Sequence, residues 1–368
     1  MKKGLSLAIA ICAVCAALLI SEVVYRLLVY KSLLLTPPLT THHHSFFCEY
    51  DPLLGWRHKP NTTGRFVTSE GSAVLNFNHQ GLRGEELPYK KDPGVFRILV
   101  LGDSFVEGYT VNFEDTLTEV LKSTLQGSLM PRKVEVINAG IAGYSTDQEY
   151  LFMREIGVRY QPDLTIILFC YNDIYFNNRP MYERGSKPFF TLEGNQLVTH
   201  NVPVPTPTVE SRGSSDRPSP GRFSSLLYTE LRSRIWKRAD KPSPPTPPAV
   251  IAPSNPWVIT ERLLKEISSL AGGRGHFAVS YIPRGTLIEP QVMASDKITR
   301  PEEAADPGRL SEICARNGID FLDLTGALRA ASKHEQMYFT RDPHWNRNGT
   351  RVAAQTIAHF LRERSLLQ

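Results

Sequence analysis

FRILVLGDSF, residues 96–105, decides the fold. Its first seven residues carry one charge, Arg97, in an otherwise apolar run of the kind buried on both faces of a parallel sheet. Gly102 ends the run, and Asp103 and Ser104 are residue types that open helices. The pattern then repeats. VEVINAG (134–140) and DLTIILFCYND (163–173) are two more apolar runs, with helical spacing at Thr116–Leu125 and Asp147–Gly157. After Pro256, WVITERLLKEISSLAG leads to HFAVSYIP, and LSEICARNG leads to IDFLDL. Asn348 to Leu367 closes the series as an amphipathic helix. Five strand-then-helix units predict an α/β fold: a doubly wound, flavodoxin-like, parallel five-stranded sheet covered on both faces.

Upstream, Gly4–Ser21 (GLSLAIAICAVCAALLIS) holds no charge and follows Lys2 and Lys3. As a helix it rises about 27 Å, close to a bilayer's hydrocarbon core. Small residues before Ala17 suit a signal-peptide cut, but Leu18–Ile20 and VVYRLLVYKSLLL carry the apolar run to Leu35. Residues 1–35 are therefore expected to be a retained transmembrane helix. Lys2 and Lys3 place its N-terminus in the cytosol and the rest in a periplasm or extracellular space.

Residues 36–92 read as a linker (TPPLTTHHHS) and a small β-rich lead-in, with RFVTSEG and AVLNFN as paired strands. His42–His44 could ligate a metal, but no Asp, Glu or Cys supports them in sequence, so no metal is expected. Residues 93–368 form the main domain, interrupted at about 201–256 by an insertion holding twelve of the 27 prolines. A short amphipathic helix, SSLLYTELRSRIWKR, is expected inside that insertion.

Composition excludes several classes. With 41% hydrophobic and 21% charged residues, the chain is neither disordered nor a multi-span membrane protein. A net charge of +5 is scattered, so nucleic acid is not an expected partner. Five cysteines show no paired metal spacing and no disulfide framework. Phosphate-loop, dinucleotide, zincin and G-x-S-x-G signatures are absent, and no cofactor is expected.

Ligands of an open parallel sheet bind beyond the carboxyl ends of its strands. Those positions hold Asp103 and Ser104 after the first strand, Asn138, Gly140 and Gly143 after the second, and Asn172 and Asp173 after the third. Asp342-Pro343-His344-Trp345 precedes the last helix. A serine, a glycine turn, an amide and an Asp/His pair supply a nucleophile, an anion cradle and an oriented base. Gly140 is read as permitting a tight turn, Cys170 as core, Asp173 as ordering its loop, and Arg83 as a structural pairing residue.

GDSF (102–105), NAGIAGYST (138–146), YND (171–173) and DPHW (342–345) resemble, in order, the four sequence blocks of the SGNH (GDSL-type) hydrolase superfamily. The likeness spans roughly residues 95–365. The lead-in, DPLLGW and FNHQGLRG, is similar to that of membrane-anchored bacterial members, whose relatives acetylate exopolysaccharides. The resemblance implies Ser104 as nucleophile, His344 as base and Asp342 as its orienting acid. It implies an oxyanion hole made by the Ser104 and Gly143 N–H groups and the Asn172 side chain.

Two features depart from the pattern. One residue, rather than two, separates Asp342 from His344, which leaves Asp320 and Asp323 as substitutes. Cys170 stands where a glycine is common. The implied activity is a serine esterase or an acyl (acetyl) transferase acting on an envelope or extracellular carbohydrate ester. The alternatives are a lipid or lysophospholipid esterase and a non-catalytic carbohydrate-binding assembly protein. Expected partners are an acylated carbohydrate or lipid ester, the membrane through the N-terminal helix and, for a transferase, a membrane-bound acyl-donor protein.

Overall fold

The structure, a computed structural model, describes residues 2–30, 40–41, 44–182, 184–206, 255–273, 275–292 and 303–368. His42, His43 and most of the proline-rich insertion, with its expected helix, lie outside the described residues. The chain divides into two units, 1–39 with 213–245 and 40–212 with 246–368.

In the first unit, α1 (Lys2–Tyr30) is a helix of 29 residues. Its described large apolar side chains, among them Val14, Leu18, Leu19 and Ile20, are exposed. The transmembrane helix expected within 1–35 is not found: among the described residues no helix is long and apolar enough to cross a membrane.

The second unit begins with five short strands: β1 (Thr40–Thr41), β2 (Cys48–Asp51), β3 (Gly55–His58), β4 (Thr63–Val67) and β5 (Ser72–Asn76). β2 pairs with β3 and β4 with β5, both antiparallel. Phe47, Phe66, Ala73, Leu75 and Phe77 form a small apolar cluster among them. Burial alternates along β4 and β5, so that Phe66, Ala73 and Leu75 face this cluster.

β6 (Val95–Gly102) opens the main sheet and turns into α2 (Ser104–Glu107) and then α3 (Leu117–Gln126). β7 (Lys133–Gly140), α4 (Thr146–Glu155), β8 (Leu164–Cys170) and α5 (Asp173–Phe176) follow. Two hairpins not expected from the sequence come next: β9 (Met181–Tyr182) with β10 (Gly185–Ser186), and β11 (Phe189–Glu193) with β12 (Gln196–His200). Then come α6 (Pro256–Gly272), β13 (His276–Ile282), α7 (Gly285–Ile288), α8 (Asp306–Arg316), β14 (Asp320–Asp323), α9 (Thr325–Ala331) and α10 (Arg347–Glu363).

The main sheet has five parallel strands in the order β14-β13-β8-β6-β7. The α/β, doubly wound expectation therefore holds for the sheet. β8 is buried at every residue, and each such Ile or Leu contributes about 1.5–3 kcal/mol. α10 packs on α3, and α4 on α6. Arg97, the one charge in β6, is buried against the Glu135 carboxylate on β7 at 2.6 Å and donates to the Tyr160 carbonyl. The place of β6, between the central strand β8 and the edge strand β7, sets the site: those two neighbours end at Cys170 and Gly140, just before Asn172 and Gly143.

Candidate active site

β6 ends at Gly102, and Ser104 is the first residue of α2, half-buried at the carboxyl edge of the sheet. Asp103 makes the sharp change of direction possible. Its carboxylate accepts the Phe105 N–H at 2.9 Å, capping the helix so that Ser104 is left free. Across the cleft, the loop before α10 brings in His344. Ser104 Oγ lies 2.7 Å from His344 Nε2, and His344 Nδ1 lies 2.5 Å from Asp342 Oδ1.

The short Asp-x-His spacing has a local cause. Asp342 Oδ1 also accepts the backbone N–H of His344 at 3.0 Å, an Asx turn that folds the carboxylate back over its own second neighbour. One oxygen thus holds both the backbone and the ring of the same residue. The two substitutes are engaged elsewhere. Asp323 accepts the Thr325 N–H at the start of α9 at 2.9 Å, and Asp320 faces Arg364 at 3.8 Å.

The electrostatics follow from this geometry. Burial alone would lower the His344 pKa, but the charge of Asp342 and its hydrogen bond outweigh it, and the net shift is upward. Burial would raise Asp342, and the imidazole outweighs that in turn, so the carboxylate is held below its ordinary value. An ionised Asp342 fixes the ring proton on Nδ1, which leaves the Nε2 lone pair facing the Ser104 hydroxyl. Tyr109 adds its hydroxyl 3.2 Å from His344 Nδ1 and packs edge-on against the ring.

Three donors at the strand ends have no acceptor among the described residues: the Ser104 N–H, the Gly143 N–H and the Asn172 side-chain amide. Gly143 sits in a turn closed by the Tyr144 N–H on the Ile141 carbonyl at 3.0 Å. Its φ of +84° favours glycine, and a Cβ there would also lie 2.6 Å from the Tyr182 ring. Gly140 has a different reason from the turn expected. It lies in β7 against α2, and a Cβ would sit 2.2 Å from the Glu107 nitrogen. Cys170 is fully buried. Asp173 is buried and accepts the Thr146 hydroxyl at 3.1 Å. Arg83 is structural, donating to the carbonyls of Glu107 at 2.9 Å and Val111 at 2.7 Å.

A second cluster adjoins the first. The Glu107 carboxylate, one turn after Ser104 on α2, is fully buried between His44 Nε2 at 2.5 Å and His58 Nε2 at 3.1 Å. The support that the His42–His44 run lacks in sequence is present in space, since Glu107 and His58 come from distant positions. These three are the set of ligand-type side chains that converges among the described residues.

The cluster does not fit a cation well. Arg184 Nη2 donates to His44 Nδ1 at 2.9 Å, which leaves the ring proton on Nε2, the atom a metal would need, pointing at Glu107. Burial, aided by Arg184, pushes His44 down to about 4. Burial opposes ionisation of Glu107, but the two imidazoles outweigh it and hold its carboxyl well below the usual range. Sequence reading did not single out His58, Glu107 or Arg184, and it weighed His44 only as part of the His42–His44 run.

A serine, a histidine and an aspartate in hydrogen-bond series at the carboxyl edge of a parallel sheet, with unclaimed donors around them, form an arrangement suited to opening esters. The chain belongs to the GDSL-like Lipase/Acylhydrolase family, whose model matches residues 100–352. It is an SGNH-type, ester-hydrolysing enzyme. No curated protein matches the chain. Among solved structures, it is similar to a lipase/acylhydrolase from Enterococcus faecalis, at 13% identity over 73% of this chain and 97% of that one, TM-score 0.43. It is also similar to a catalytic mutant of an acetylxylan esterase from Geobacillus stearothermophilus, at 12% identity over 73% of this chain and 93% of that one, TM-score 0.40.

Proposed function

We propose that this chain is a serine esterase or acetyltransferase that works through an acyl-enzyme on Ser104. The observation carrying this reading is the 2.7 Å approach of Ser104 Oγ to a His344 ring whose other nitrogen is held by Asp342. His344 Nε2 takes the hydroxyl proton as Oγ attacks the ester carbonyl. The oxyanion that forms is met by the Ser104 and Gly143 N–H groups and the Asn172 amide. As the intermediate collapses, the ester C–O bond breaks and His344 returns the proton to the departing alcohol. Water, or a sugar hydroxyl in a transferase, then attacks the acyl-enzyme by the reverse route and frees Ser104.

The substrate we propose is an O-acetylated carbohydrate of the cell envelope. Support comes from the resemblance of the lead-in to membrane-anchored members of the superfamily, with similar domains occurring in proteins that acetylate exopolysaccharides. Further support comes from α1, whose uncharged run Gly4–Ser21 and exposed apolar side chains suit a membrane anchor holding the rest outside the cytosol. A membrane-bound acyl donor would complete a transferase.

The test is acetate release from 4-nitrophenyl acetate by the wild type and by Ser104→Ala, with and without an oligosaccharide acceptor. Serine-dependent release into water marks an esterase, and acetate appearing on the sugar marks a transferase. Undiminished turnover by Ser104→Ala would falsify the assignment.

A further inference from the structure

The oxyanion turn is held by side chains that lie outside the triad. Three of its four N–H groups are claimed: Ile141 donates to the Gly102 carbonyl at 3.1 Å, Tyr144 to Ile141 at 3.0 Å, and Ala142 to Glu107 Oε2 at 2.8 Å. Only the Gly143 N–H has no acceptor among the described residues. That N–H belongs to the same peptide unit as the Ala142 carbonyl. In a trans peptide the two point in opposite directions, so fixing one aims the other. The Ala142 carbonyl is fixed: the indole Nε1 of Trp56 donates to it at 3.1 Å.

We propose that Trp56 and Glu107 are positioning residues that aim the Gly143 N–H at the oxyanion, so that the lead-in before residue 92 is a working part of the active site. This rests on the acyl-enzyme reading above. Trp56 grips the turn's carbonyl from β3, and Glu107 grips its preceding N–H from the helix that carries Ser104. Both grips are themselves braced. Trp56 is 5% exposed, its ring packs against Tyr144 and Tyr182, and its own carbonyl accepts the Tyr144 hydroxyl at 2.5 Å.

Glu107 is held by His44, and His58, whose Nδ1 is 3.1 Å from the Gly81 carbonyl, brings its Nε2 to 3.1 Å from the other carboxylate oxygen. Arg184, on the β9–β10 hairpin, sets the His44 tautomer. The architecture fits the demand of the chemistry. An oxyanion donor stabilises a transition state only if it needs no reorganisation when charge appears, and an unbraced glycine turn would need it.

The experiment measures kcat and KM for 4-nitrophenyl acetate on the full chain carrying Trp56→Phe or Glu107→Gln, beside Ser104→Ala. Inhibition by methylboronic acid, which forms a tetrahedral adduct on the serine, is measured in parallel. Trp56→Phe keeps an aromatic ring and removes the N–H. It is expected to lower kcat about 10- to 100-fold with KM within about two-fold, because only transition-state stabilisation is lost. The boronic acid is expected to weaken by a similar factor. Glu107→Gln is expected to act in the same direction through the Ala142 N–H.

Near-wild-type kcat in both folded variants, with Ser104→Ala inactive, would overturn the positioning role and leave the acyl-enzyme reading standing. An active Ser104→Ala would instead sink that reading. Reduced kcat with unchanged boronic-acid affinity counts against positioning, and so does loss of folded protein in both variants. A merely architectural pair would behave in those ways.

Discussion

Two histidine-carboxylate pairs stand within one short helix of each other, and both close to 2.5 Å. His344 with Asp342 ends with its pKa raised; His44 with Glu107 ends with it lowered to about 4. Distance to the carboxylate therefore does not decide what an imidazole does. Burial decides it first, since it outweighs the Glu107 carboxylate at His44 but not the Asp342 carboxylate at His344, and the group on the ring's other nitrogen adds to the difference. His344 faces the Ser104 hydroxyl, which has a proton to give, in a half-open cleft. His44 faces the Arg184 guanidinium, which only donates and never accepts. One pair is placed to move a proton, and the other is kept from doing so and serves as a fixed strut.

The largest effect that would break this contrast is at the serine. Ser104→Ala is expected to lower kcat by more than about 10,000-fold while the circular dichroism spectrum stays unchanged. Asp342→Asn comes next, with a loss of about 1,000- to 10,000-fold from the wrong ring tautomer.

The same pair predicts a pH profile. Activity needs the neutral His344 ring, and its folded pKa lies above 6.5. The acid limb of kcat/KM should therefore have its midpoint above 6.5 in the wild type and move to lower pH in residual Asp342→Asn activity. A limb that stays put would mean that Asp342 does not set the ring's charge.

The strut pair should be read in stability instead. His44 has a folded pKa below its unfolded value, so the unfolded chain binds more protons between them. Stability is then present above 6.5 and is lost as pH falls towards about 4, by about 3 kcal/mol across that window. Urea unfolding of the wild type and His44→Gln at pH 7, 5.5 and 4.5 gives the difference directly. Equal slopes for the two proteins would remove His44 from the account.

The smallest effect sharpens the choice of acid. Asp323→Ala removes the acceptor of the Thr325 N–H at the start of α9 and should cost about 1 kcal/mol, with kcat unchanged. A large fall in kcat there would reopen the assignment of Asp342.

The sheet was legible because its strands announce themselves. FRILVLG, VEVINAG and DLTIILF are apolar on both faces, and only a buried parallel strand needs that. Ser104, Gly143, Asn172 and the Asp342–His344 pair were legible because reacting groups sit at strand ends, in order. The strut was not. Glu107 lies in an ordinary SFVEG helix start, and His44 and His58 are brought to it by the packing of β2 to β5, which no local pattern encodes. Gly140 was read as a turn because a glycine's reason is invisible without its neighbour; here the neighbour is the backbone of α2. The hairpin β9–β10, only two residues per strand, is too short to leave a period.

Trp56 and Glu107 both reach for main-chain atoms of Ala142, whose side chain takes no part in either bond. Position 142 therefore carries no chemical trace of the two residues that depend on it. In a comparison of diverged sequences, the dependence would surface between positions 56 and 107 themselves, each tolerated only while the other holds. It would not surface between either of them and the turn they hold. Family matching that begins at residue 100 takes in one member of that pair and leaves the other out. A catalytic domain transplanted on those borders would carry its nucleophile intact and lose the aim of its anion cradle.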